Sequence, residues 1–72
     1  MNIEQLIEGN EYKLIHSHWQ PSQKVKVLNK CQKNGKYFSV DIIYTSDDCS
    51  KGLITSMNTI ECERYLHEIT KI

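Results

Sequence analysis

The clearest hydrophobic pattern in the chain is a pair of alternating runs that flank an Asn-Gly dipeptide. Asn34-Gly35 suits a type I′ turn, because both residues tolerate a positive φ angle. The flanking runs therefore predict a β-hairpin over Lys24–Thr45. The apolar series of the second strand is expected to face the core, and the lysine series of the first strand is expected to face water. These series are Phe38, Val40, Ile42 and Tyr44, and Lys24, Lys26 and Lys30.

Strand-like alternation occurs in two further segments. Residues 11–19 alternate with a period of two, which places Tyr12 and Leu14 on one face. Pro21 ends this run, because proline lacks a backbone donor and restricts the residue before it. Leu53–Met57 predicts another strand, and the polar stretch between it and the hairpin predicts a loop.

A short helix is predicted at the start of the chain, over Asn2–Glu8. Asn2 is a suitable N-cap and Gln5 stands at the capping-box position three residues later. Gly9 suits the left-handed residue that commonly follows a helix. The apolar stripe of this helix is Ile3, Leu6 and Ile7.

A second helix is predicted from Asn58 onward, because Asn58 can cap it and Glu61 completes a capping box. A strand over residues 60–66 is the alternative, since apolar residues also alternate there. The helix is favoured because the strand would place Arg64 on its buried side. The residues at helical spacing are Cys62, Tyr65, Leu66, Ile69 and Ile72.

These elements predict a single α+β domain over residues 1–72. Its antiparallel sheet would have three to four strands in a β-meander, with a short N-terminal helix and a C-terminal helix. An SH3-like small barrel is the alternative architecture. In that barrel residues 58–66 would supply the last strand, and strong bending of the strands in residues 24–45 would favour it. A chain of 72 residues forms one domain, whose thin core buries only about 60% of the unfolded surface.

The composition indicates in which cellular compartment the protein is expected. The first nine residues carry Glu4 and Glu8 where a secretory signal would have basic and apolar residues, so no signal is expected. Uninterrupted apolar runs are hardly longer than the dipeptide Leu6-Ile7, which predicts no membrane span and no membrane partner. Three widely spaced cysteines argue against a disulfide framework and favour a reducing, cytoplasmic location.

The formal charge is zero, but it is segregated along the chain. Residues 12–40 contain no Asp or Glu and carry six lysines, whereas residues 1–11 and 41–72 each sum to −3. Lysine contacts phosphates without reading sequence, and exposed aromatic rings can stack on unpaired bases. The alternative is a solvated strand face that protects an edge from aggregation. The candidate basic face comprises Lys13, Lys24, Lys26, Lys30, Lys33, Lys36, Tyr37, His16, His18 and Trp19.

The sequence does not predict a metal site, a reactive cysteine or a glycine-rich phosphate loop. His16-Ser17-His18 lacks the closely spaced Cys or His pairs of a structural zinc site, so no metal is expected. Cys62 falls on an apolar stripe and is expected to be a buried, inert thiol. The three glycines are isolated, which excludes a glycine-rich phosphate loop. We therefore expect no enzymatic activity and no cofactor.

The sequence thus favours a small non-enzymatic binding module, acting as a regulator, inhibitor or adaptor through protein contacts. Self-association as a homodimer is included, with Ile15, Trp19 and Ile43 as candidates for an exposed patch. The first alternative is a nucleic-acid-binding module that uses the lysine-rich hairpin in a salt-dependent, sequence-independent way. The second alternative is a binder of a small anion such as a nucleotide, near Lys13, His16 and His18.

Overall fold

In the part of the chain that the structure describes, five antiparallel strands form one curled sheet with the order β4-β3-β2-β1-β5. The structure is a computed structural model that describes residues 1–17, 19–47 and 50–69. No helix within these residues is long and apolar enough to cross a membrane. The elements are a 3₁₀ helix at Ile3–Gln5, β1 at Glu11–Leu14, β2 at Gln23–Lys33, β3 at Lys36–Tyr44, β4 at Ile54–Asn58, α1 at Thr59–Tyr65 and β5 at Leu66–His67.

The predicted meander is confirmed for the first four strands, each of which pairs with its neighbour in sequence. The meander prediction had no fifth strand, and the barrel alternative placed its last strand at residues 58–66, where the structure has a helix up to Tyr65 and a strand only at Leu66–His67. β5 follows α1 and returns across the sheet to pair with β1, where Leu66 lies opposite Leu14. The sheet therefore has two different edges, a five-residue strand at β4 and a two-residue strand at β5.

The hairpin is confirmed, including its turn. Asn34 has a φ of 54° and Gly35 a φ of 77°, the pair of positive values that a type I′ turn requires. Lys33 and Lys36 lie opposite each other and close the turn.

Two β-bulges interrupt the hairpin and correct the predicted faces. In β2 the pairing shifts at Leu28, and in β3 it shifts at Phe38. Each extra residue changes the phase of the alternation, because two residues then oppose one on the partner strand. Phe38 was expected in the core but is 51% exposed, and the ring of Tyr37 packs against the core instead.

The bulge at Leu28 has a second consequence, for Lys30. Lys30 was expected to face water, but it lies opposite Val40, which is fully buried. Residues directly opposite in an antiparallel pair point to the same face of the sheet. Lys30 therefore lies on the core side, whereas Lys24 and Lys26 on the same strand are exposed on the opposite side of the sheet.

The N-terminal helix is shorter than predicted. One turn of 3₁₀ helix ends at Gln5, because Leu6 adopts an extended conformation with a ψ of 138°. The backbone N–H of Asn2 donates to Gln5 Oε1 at 3.2 Å, as the capping-box spacing predicts. Ile7 leaves the apolar stripe and is 59% exposed, and its N–H donates to the Tyr12 hydroxyl at 2.9 Å. Two turns of helix alone are marginal in water, so tertiary contacts decide this segment.

The C-terminal helix begins where predicted but ends early, at Tyr65. Leu66 is extended, with a φ of −92° and a ψ of 132°, and it starts β5. Pairing with β1 buries Leu66 completely, which a continued helix would not achieve. The helical interpretation of residues 58–66 is therefore correct up to Tyr65. The predicted position of Ile72 lies outside the described residues.

The predicted strand over residues 11–19 is paired only as far as Leu14. The prediction for β4 is correct to within one residue.

The core lies on one face of the sheet, which the 3₁₀ helix and α1 cover. We use the term outer face for the opposite side of the sheet. The buried apolar residues are Ile3, Leu6, Tyr12, Leu14, Val25, Val27, Val40, Ile42, Met57, Cys62 and Leu66.

Replacing Asn58 with alanine is expected to lower the free energy of unfolding by about 1 kcal/mol. The Asn58 side chain accepts the Glu61 N–H at 2.9 Å, and the Asn58 N–H donates to Glu61 Oε1 at 3.2 Å. Alanine leaves the Glu61 N–H without this acceptor. Urea denaturation followed by circular dichroism measures the change. Asn58→Ser should retain most of the stability, and equal losses in the two variants would contradict a capping role.

Candidate binding surface

Part of the predicted basic face forms on the outer face of the sheet. Lys13 of β1 lies directly opposite Lys24 of β2, and His67 of β5 lies opposite Lys13 on its other side. All three side chains are exposed. Like charges directly opposite each other in a sheet are destabilising, so this row of two ammonium groups and an imidazole is an arrangement that a bound anion would relieve. His67 is 43 residues away from Lys24 along the chain and was not predicted to join the basic face.

The neighbouring row on the outer face brings in an acidic residue. Lys26 lies opposite Glu11 on one side and opposite Ile43 on the other. Glu11 also accepts a hydrogen bond from the Thr45 hydroxyl at 2.8 Å. Asp41 lies on the same face, opposite Asn29. The outer face therefore carries both signs of charge, although residues 12–40 contain no acid.

Lys30 and Tyr37 are used in contacts within the protein. The Lys30 ammonium donates to the carbonyl oxygens of Leu6 at 2.8 Å and Glu4 at 3.4 Å. It also lies 4.3 Å from the centre of the Tyr37 ring, within the range of a cation–π interaction. Both side chains are partly buried. Lys30 thus ties β2 to the N-terminal segment.

Lys33 and Lys36 form a separate basic group at the tip of the hairpin. Lys33 lies nine positions after Lys24 along β2, which at about 3.3 Å per residue places their Cα atoms roughly 30 Å apart. The six lysines thus occupy three places: the tip, the core side and the end of the outer face near β5. The structure brings Lys13, Lys24 and Lys26 together and does not bring the other three to them.

The loop between β1 and β2 holds the remaining candidates. The exposed ring of His16 meets the Tyr65 ring edge to face, with centroids 4.8 Å apart at an interplanar angle of 65°. Trp19 is 82% exposed. His18 lies outside the described residues. Within the described ranges, no group of three or more His, Cys, Asp or Glu side chains is placed to hold a metal ion.

A second candidate surface surrounds the edge strand β4. We call residues 53–60 the β4 edge. Leu53 is 55% exposed, Ile54 60% and Ile60 59%, and Ile54 lies opposite the partly buried Ile43 on the outer face. Ile43 was predicted to lie in an exposed patch, whereas Leu53, Ile54 and Ile60 were not. A usable signal existed, because residues 53–60 contain no charged residue.

A cavity of about 580 Å³ opens between the N-terminal segment, β1 and the residues after β5. Its charged lining residues are Glu11, Lys24 and Glu68. Two carboxylates against one ammonium disfavour an anionic ligand, as Coulomb's law requires. The remaining lining residues are Gln5, Ile7, Gly9, Asn10, Tyr12 and Ile69.

Cys62 is expected to resist alkylation in the folded protein. Burial raises the pKa of the Cys62 thiol to about 11, so at pH 8 it is protonated and unreactive. Cys31 is partly exposed, and we expect iodoacetamide to modify it faster than Cys62 by roughly tenfold or more. Peptide mapping by mass spectrometry separates the sites, and the difference should vanish in urea. Equal rates at the two sites in the folded protein would contradict the burial of Cys62.

The described surface thus offers three features for binding: the lysine row at Lys13 and Lys24, the lysine pair at the hairpin tip, and the apolar β4 edge. The first two favour anions and the third favours an apolar partner. The chain matches no protein-family model, no curated protein and no solved structure.

Proposed function

We propose that this protein is a small non-enzymatic binding module that acts through protein–protein contacts, as a regulator, inhibitor or adaptor. The observation that carries the proposal is the β4 edge. Among the described residues, no strand pairs with the outer side of β4, and this uncharged strand edge adjoins three aliphatic side chains, each more than half exposed. Exposed apolar residues next to free strand hydrogen-bonding groups are a common basis of protein recognition.

The connectivity supports a fold suited to such a module. Four strands run consecutively, and a short helix precedes a last strand that returns to pair with β1. The SH3-like small barrel has this order, and the two bulges supply the bending of β2 and β3 that it needs. We therefore favour the SH3-like architecture over a simple meander. A cytoplasmic setting is supported by Cys31 and Cys62, both free thiols.

The test is a pull-down from native lysate, with nuclease added, using three versions of the protein. Ile54→Lys places a charge on the β4 edge and should lower the recovery of a specific partner roughly tenfold or more. Ile7→Lys is the matched control, because Ile7 is 59% exposed and Ile54 is 60% exposed. Recovery that is insensitive to Ile54→Lys, or equally sensitive to both substitutions, would refute the use of this edge.

A nucleic-acid-binding module is the second candidate function. The observation in its favour is the direct opposition of Lys13 and Lys24, with His67 beside them. Binding of this kind weakens linearly on a log–log plot against salt. Removing the charges with Lys13→Gln and Lys24→Gln should reduce that slope by about 0.7 to 0.9 for each phosphate that the protein no longer neutralises.

The control for this second candidate is the pair Lys33→Gln and Lys36→Gln at the hairpin tip, which removes the same charge from another place. Fluorescence anisotropy with single-stranded DNA, duplex DNA and RNA gives the slopes. No salt-sensitive binding by the wild-type protein, or equal effects of the two pairs, would rule out a site centred on Lys13 and Lys24.

A further inference from the structure

We infer that the β4 edge binds a second copy of this chain, by antiparallel pairing of β4 with β4 about a two-fold axis. The inference rests on the proposed function and names its partner. Residues 53–60 include none of the features that keep strand edges from pairing, and both their aliphatic side chains and the flanking charges suit a second copy.

β4 lacks the features that keep strand edges from pairing. In natural proteins, charged residues, proline, bulges or short length keep edge strands from pairing with another chain. β4 has five residues in regular register with β3, and residues 53–60 include neither a charged residue nor a proline. By contrast, the opposite edge, β5, is only two residues long and includes His67. Of the two edges of the sheet in the described part of the chain, β4 is the one without these protecting features.

The order of residues along the β4 edge favours a two-fold partner. Ile54 is the first residue of β4 and Leu53 directly precedes it, whereas Ile60 lies two residues after the strand ends. When two copies pair antiparallel, the start of one strand meets the end of the other. Leu53 and Ile54 of one protomer then approach Ile60 of the partner subunit, and the same contact forms again by symmetry. An unrelated strand would need its own aliphatic residues at both ends to achieve this.

The flanking charges are complementary in the same orientation. Lys51 precedes the β4 edge by two residues, and Glu63 follows it by three. Antiparallel pairing directs Lys51 of one protomer toward Glu63 of the partner subunit. Lys51 contacts Asp47 at 2.8 Å, with side chains 63% and 90% exposed. Exposed ion pairs of this kind contribute little energy, so Lys51 can leave Asp47 to contact Glu63 of the partner subunit. A parallel pair would instead bring like charges together at each end.

The expected dimer is weak. Pairing of two five-residue strands covers less than the roughly 800 Å² per partner of a standard interface, so we expect a Kd in about the micromolar range. Sedimentation equilibrium over a wide concentration range measures it. Ile54→Lys should weaken dimerisation roughly tenfold or more, and Ile7→Lys should leave it unchanged. Ser56→Lys serves as a second edge variant if Ile54→Lys does not fold, because Ser56 is also exposed on β4.

Charge reversal tests the orientation. Lys51→Glu and Glu63→Lys should each weaken the dimer, and the double variant should restore it. Failure of the double variant to restore dimerisation would overturn the antiparallel arrangement. A wild-type protein that is monomeric throughout, or a dimer insensitive to both edge substitutions, would overturn the inference. If the protein is monomeric yet still captures another protein through Ile54, the proposed function stands and only this inference fails.

Discussion

Replacing Leu66 with alanine is expected to lower the free energy of unfolding by about 3 kcal/mol, one of the largest effects of any single truncation in this chain. Leu66 is fully buried, lies opposite the buried Leu14, and is one of only two residues in β5. Alanine leaves a cavity between β5 and β1. The Leu66 carbonyl also accepts a hydrogen bond from the Met1 ammonium at 2.5 Å, so the N-terminal segment is held at the same place.

The size of this effect matters because a domain of 72 residues has about 4 to 11 kcal/mol of stability in total. Urea denaturation monitored by circular dichroism gives the free energy of unfolding for each variant. Ile7→Ala is the control, since Ile7 is 59% exposed and lies outside the β4 edge, so its truncation should change stability by less than about 0.5 kcal/mol. Similar losses in both variants would show that β5 is not packed as described.

The parts of the fold that were predicted correctly depend on chemistry within a few residues. Asn34-Gly35 determines its turn because the two residues supply both positive φ angles. Asn58 and Glu61 determine the start of α1 through two hydrogen bonds across three residues. Such signals are complete within the local sequence, so they do not depend on the rest of the chain.

The ends of the helices and the fifth strand could not be predicted in the same way. The stripe that includes Cys62 and Leu66 continues at helical spacing toward Ile69, yet the chain becomes extended at Leu66. The deciding interaction is the pairing of Leu66 with Leu14, 52 residues earlier in the chain. Tertiary burial overrides local periodicity at this position.

The candidate binding surface was predicted in part, for a related reason. The acid-free block suggested one basic face, but a strand as long as β2 separates its ends, and the bulge at Leu28 turns one lysine inward. Residues from other segments also belong to this surface, since strand pairing places Glu11 and His67 beside the lysines. The absence of charge in residues 53–60 was visible in the sequence. Its significance depends on β4 lying at an edge, which follows from β5 pairing with β1 instead.

Lys30→Met is expected to lower the free energy of unfolding by about 1 to 3 kcal/mol, whereas Lys26→Met should change it by less than about 0.5 kcal/mol. Both lysines lie on β2, and an uninterrupted strand would place them on the same exposed face. The bulge at Leu28 instead puts Lys30 on the core side, where its ammonium donates to the Leu6 and Glu4 carbonyls. Methionine has a similar length but cannot donate, so the partly buried Leu6 carbonyl is left without its donor.

The same substitution should also loosen the segment that Lys30 holds. Hydrogen exchange at the Gln5 and Leu6 amides, which close the 3₁₀ turn through Asn2 O at 2.9 Å and Ile3 O at 3.3 Å, should become faster in Lys30→Met and remain unchanged in Lys26→Met. Equal stability and exchange in the two variants would mean that Lys30 faces water, and the bulge assignment would then be wrong. A difference between them would leave Lys13, Lys24 and Lys26 as the lysines of β1 and β2 available to an anionic partner near β5, because Lys30 would be committed to the fold.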